Sequence, residues 1–130
     1  MKLGVCTSPE NIPLAAAARF DYAECALNAL AAMDEESFAA LFPAKFSFPI
    51  PLTKCNCLLP GDLPVVGSNV SIEQIGAYLD HAFSRAKRLG INLAVFGSGR
   101  SRTCPEGFPV SSAMQQIKEF LHLLASYADR

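Results

Sequence analysis

Between Val95 and Pro109 the chain reads VFGSGRSRTCPEGFP: two close glycines, two arginines and a glutamate, set between an apolar run and a helical pattern. Glycines in a strand-to-helix turn let the backbone approach a polar ligand closely. A guanidinium from Arg100 or Arg102 can grip hydroxyls, a carboxylate or a phosphate. The stretch lacks the Gly-Lys-Ser/Thr of a P-loop, and Arg102 stands where the third glycine of a dinucleotide fingerprint belongs. A solvated turn with two surface arginines is the plain alternative.

A second group lies upstream. Glu24 sits within the strand pattern Tyr22-Ala23-Glu24-Cys25-Ala26-Leu27, where a lone buried carboxylate is costly unless it is paired or opens onto a site. Lys54 and Asn56 share one face of a later strand by their spacing. If both polar faces point inward, Glu24, Lys54 and Asn56 form a polar floor for substrate hydroxyls; a structural Glu24–Lys54 pair is the alternative. Cys55-Asn56-Cys57 invites a metal reading, but no histidine or second close cysteine pair accompanies it. Packing is the preferred role for those thiols. His81 and His122 fall on helical patterns and read as surface or interfacial groups. No Gly-x-Ser-x-Gly elbow, His-Glu-x-x-His helix or evident Cys–His pair is present.

These residues need elements to hold them. Leu3–Cys6, Tyr22–Leu27, Pro51–Leu59 and Ile91–Phe96 read as four strands. Between them lie helical patterns: one capped by Asn11 with Pro13 in its first turn, one capped by Asp34 and stopped by Pro43, and one opened by the capping box Ser71-Ile72-Glu73-Gln74 and closed by Gly90. A last helix is expected from Ser112, with Gln115 completing its cap and a stripe through Ala113, Ile117, Phe120, Leu121, Leu124 and Ala128. Alternating strands and helices predict parallel pairing with right-handed crossovers. An open doubly wound sheet and half of a (β/α)8 barrel both remain. Four units in 130 residues is near half of a full barrel's ~250. Ligands in either fold meet the loops after the strands: Thr7–Asn11, Asn28–Asp34, Leu58–Ser71 and Gly97–Ser111.

Composition sets the outer limits. With 130 residues, 51% hydrophobic and 18% charged, the chain fits one domain (1–130) with its own core. A formal net charge of −1 offers no broad field toward nucleic acid or an anionic membrane. No signal-like or membrane-spanning run is visible, and five cysteines argue against a disulfide framework. The expected placement is cytoplasmic.

Phe20-Asp21-Tyr22-Ala23-Glu24 resembles the second-strand signature of the sugar phosphate isomerase/epimerase family, a xylose isomerase-like TIM barrel whose fold is shared by the endonuclease IV enzymes. Val95-Phe96-Gly97-Ser98-Gly99 with Arg102, followed by Pro105-Glu106-Gly107-Phe108, is similar to the fourth-strand loop of one subgroup. The resemblance runs over nearly the whole chain and implies the N-terminal half of such a barrel. It further implies carbohydrate metabolism: isomerisation or epimerisation of a sugar or sugar phosphate through an enediolate, assisted by a divalent ion (Mn, Mg, Co or Zn). The family's metal ligands and proton-transfer glutamates lie on strands five to eight, so none is assigned here. Glu24, Asn56, Gly97, Ser98, Gly99, Arg102 and Glu106 are the positions carried over, in substrate-binding or site-shaping roles. Unpaired edges in a half barrel predict self-association or a completing C-terminal half. Other readings are an endonuclease IV-like phosphodiesterase, disfavoured by the charge and the missing histidines, a non-catalytic half-barrel binding or assembly module, and an open flavodoxin-like sheet.

Overall fold

A computed structural model describes residues 1–43 and 47–128. Four short strands, β1 (Gly4–Cys6), β2 (Tyr22–Ala26), β3 (Lys54–Asn56) and β4 (Leu93–Ala94), form one parallel sheet in the order β1-β2-β3-β4. Five helices connect or follow them: α1 (Ile12–Ala17), α2 (Leu27–Ala32), α3 (Glu35–Leu41), α4 (Ile72–Arg88) and α5 (Val110–Ala128). Doubly wound sheets reverse strand order at a switch point. These four strands show no reversal.

That order has a consequence for the layers. Right-handed crossovers that always step the same way place every helix on one side of the sheet. Ala23, Cys25 and Cys55 are almost fully buried on that side. Ala23 and Cys25 pack with Ile12, Leu30 and Phe38, while Cys55 packs with Leu27, Ile75, Leu79, Ala82, Ala113 and Phe120. All five helices therefore contribute to the cover of one face. The other face carries Tyr22, Glu24, Lys54 and Asn56, each half-buried, and then Leu93 and Val95, 48% and 46% exposed. The helical cover thins at β4, where Ala94, the register partner of Cys55, is exposed.

Two of the four expected N-terminal caps form. Asp34 accepts from the Ser37 amide at 2.7 Å, and Ser71 from the Gln74 amide at 3.3 Å. Gly90 takes φ +72°, the left-handed stop expected of it. Four expectations need correction. β3 and β4 are much shorter than Pro51–Leu59 and Ile91–Phe96. Pro49 and Pro51 lack donors, and Cys57 turns left-handed (φ +48°) with its carbonyl accepting from Asn28 N. Much of the expected 28–34 loop is α2, which starts directly from β2 with no side-chain cap. α1 does follow Asn11, but the Asn11 amide group donates to Ser8 Oγ instead of capping the helix. α5 begins at Val110, its first turn closed by Ala113 N to Pro109 O, so Ser112 lies inside the helix.

Candidate functional site

The register brings the polar residues of the bare face together. Gly4 lies opposite Tyr22, Cys6 opposite Glu24, Glu24 opposite Lys54, and Ala26 opposite Asn56. A Cβ on Gly4 would fall inside the Tyr22 ring, so glycine is what lets that ring lie flat across β1. The Lys54 ammonium sits over the same ring, 4.2 Å from its centroid. Tyr22 is one pleat toward the amino end from Glu24, so Lys54 leans away from the strand ends. Glu35 pairs with Arg85 and Arg88, and no Glu24–Lys54 salt bridge forms.

Toward the carboxyl ends a small network forms. The Cys6 thiol donates to Glu24 Oε2 at 3.8 Å, and Asn56 Nδ2 donates to Cys6 Sγ at 3.2 Å. Burial and the Glu24 carboxylate push the Cys6 thiol above its ordinary value, so it stays protonated and serves as a donor instead of a nucleophile. A cleft of about 350 Å³ opens over this network, lined by Cys6, Thr7, Ser8, Glu10, Glu24 and Asn56 among others, with Met33 and Leu30 as an apolar wall. Its size falls in the range of small-molecule sites. A larger hollow of about 700 Å³ opens at the amino end between Phe42, Pro43, Ser47 and Phe48, with Arg88 among its lining residues. Parallel α/β folds place ligands at the carboxyl ends, which favours the smaller cleft.

Of the expected trio, Glu24 and Asn56 both bond to Cys6, while Lys54 stays apart on the Tyr22 ring. Cys6 and Glu10 were missed; the alternation Gly4-Val5-Cys6 and the loop position of Glu10 were the available signals. The 97–106 loop does not line the cleft. It clasps the loop between β3 and α4. Ser98 Oγ accepts from Leu59 N at 2.8 Å, buried Ser101 donates to Pro60 O at 2.8 Å, and Val65 N donates to Ser101 O. Arg102 Nε donates to Gly97 O at 2.9 Å, and the Arg100 side chain lies against Gly61. A Cβ on Gly97 or Gly99 would meet nothing within 4 Å, and Glu106 is exposed. The two thiols of Cys55-Asn56-Cys57 part company: Cys55 is under the helices and Cys57 is exposed. Among the described residues no group of three or more His, Cys, Asp and Glu side chains is placed to share a metal ion. The donor set here does not fit the divalent ion that the resemblance implies.

No protein-family model matches the chain, no curated protein matches it, and no solved structure matches it. No helix among the described residues is long and apolar enough to cross a membrane.

Proposed function

We propose that this chain is the first half of a (β/α)8 barrel of the sugar isomerase/epimerase type, placed in the cytoplasm, and that its strand-end cleft holds the hydroxyls of a small sugar. One observation carries the reading. A sequential parallel sheet covered by helices on one face leaves a polar Glu24–Cys6–Asn56 network on the face that a closed barrel would turn inward. A thiol is a weak donor, so a ligand hydroxyl displaces Cys6 from Glu24 at little cost. Asn56 supplies amide donors beside it, and Met33 and Leu30 give the sugar carbons an apolar wall. The 97–106 loop, with Gly97, Ser98, Gly99, Arg102 and Glu106, fixes the loop between β3 and α4, which stands apart from the cleft lining. No proton-transfer step is assigned to these residues.

Amide chemical shifts followed during titration with neutral aldoses and ketoses test the binding. Saturable shifts at Cys6, Glu24 and Asn56 are expected, and Glu24→Gln should abolish them while changing stability by no more than about 0.5 kcal/mol. Flat spectra throughout the titration would remove the sugar reading. The half-barrel reading also leaves β1 and β4 as bare edges, and unpaired edges associate. A light-scattering mass above that of the monomer is the expected outcome; a stable, well-packed monomer counts against it.

A further inference from the structure

The charges around the cleft point to a more specific ligand class, an inference that rests on the sugar reading above. Two carboxylates line the cleft, Glu10 and Glu24. Glu10 is held ionised: a hydrogen bond from the Ser8 hydroxyl lowers its carboxyl below the ordinary range, and Ser8 is itself fixed by the Asn11 amide at 3.2 Å. Among the described residues no lysine, arginine or histidine lines the cleft. The nearest strand cation, Lys54, is drawn to the Tyr22 ring at the other end of the pleat. The two arginines that first suggested anion binding are engaged elsewhere, Arg102 on the Gly97 carbonyl and Arg100 against Gly61. The remaining lining groups, Thr7, Ser8, Asn56 and the protonated Cys6, are neutral.

We infer that the cleft selects an unphosphorylated, polyhydroxylated ligand and repels its phosphate esters. Carboxylates accept hydrogen bonds from sugar hydroxyls readily, and a vicinal pair of hydroxyls can satisfy one carboxylate. A phosphate dianion in the same space meets like charge, with no counter-charge among the described lining residues.

The test titrates the 130-residue chain with D-fructose and D-ribulose, with their terminal phosphate esters, and with inorganic phosphate, reading the amide shifts of Cys6, Glu24 and Asn56. The free ketoses are expected to bind about tenfold or more tightly than their esters, with inorganic phosphate giving no shift. Glu10→Gln should narrow the ratio by favouring the ester, and added salt should narrow it further. Esters that bind as tightly as the free sugars, or more tightly, would overturn the inference and leave the sugar reading standing. Shifts from neither class would remove both.

Discussion

The two faces of the sheet are built from alternate residues of the same strands, and they differ in almost everything else. In β2, Ala23 and Cys25 point into the helices and are 0% and 1% exposed, while Tyr22 and Glu24 point to the bare face. In β3, Cys55 goes one way and Lys54 and Asn56 the other. The covered face uses small side chains so that helices can approach a parallel sheet closely. The bare face uses polar groups that bond to one another or stack, as Lys54 does on Tyr22. Strand parity therefore separates stability from chemistry, and substitutions should sort accordingly.

The largest effect is expected behind the covered face, at Arg85. Its side chain is 3% exposed, and its Nη1 donates to the carbonyls of Leu30, Ala31 and Met33 at 2.5, 3.3 and 2.6 Å. α2 ends without a cap of its own, and Arg85 takes the place of one. The guanidinium also lies 4.6 Å from the Phe38 ring centroid. Arg85→Met removes the donors and leaves the carbonyls of Leu30 and Met33 unpaired, His81 still lying 3.1 Å from that of Ala31, at a cost of about 3 kcal/mol in urea unfolding. Glu35, 64% exposed, contributes little through its ion pair, so Glu35→Gln should cost only a small fraction of that. Equal losses in the two variants would mean that the ion pair, not the helix end, is what Arg85 serves.

A smaller and more graded contrast is expected in the thiols. Cys25 and Cys55 lie beneath the helices, and burial pushes them up to about 12 and about 11. Cys6, Cys57 and Cys104 are exposed. A thiol reagent at neutral pH should modify Cys57 and Cys104 first and Cys6 more slowly, because Cys6 is raised by burial and by Glu24. Cys25 and Cys55 should react only on unfolding. Five thiols reacting at one rate in the folded protein would erase the distinction between the faces.

The same parity explains how much could be read in advance. Ala23-Glu24-Cys25 and Lys54-Cys55-Asn56 alternate cleanly, so the meeting of Glu24 and Asn56 was legible once parallel pairing was assumed. The caps at Asp34 and Ser71 were legible because the acceptor and its amide are neighbours in sequence. α2 was not, because its start carries no cap signal and its end is satisfied by Arg85, more than fifty residues away. The role of Cys6 was also hidden, since only the register of β1 on β2 reveals that it faces Glu24. The glycine-arginine loop drew the eye for its composition, yet Ser98 and Ser101 tie it to backbone groups of Leu59 and Pro60, which no local pattern announces.

The smallest effect expected is an acid slope, and it can be assigned to one side. Asp34 is held below its ordinary range by the Ser37 amide and hydroxyl, and Glu35 by Arg88 and then Arg85. Both belong to the helix layer. Glu10, lowered by Ser8, belongs to the cleft rim. A carboxyl lowered by folding stabilises the native state above its unfolded value, roughly pH 4, and that contribution is lost as the pH falls through the folded value. The thermal midpoint should therefore stay nearly level from neutrality to about pH 5 and decline below it. Asp34→Asn and Glu35→Gln together should flatten most of that decline, because their partners are helix amides and guanidinia that exist only in the folded layer. Glu10→Gln should flatten little, since Ser8 lies two residues away and can remain near it in the unfolded chain. If Glu10→Gln removed most of the slope instead, the acid sensitivity would lie in the cleft, and the separation between a face that stabilises and a face that binds would fail there.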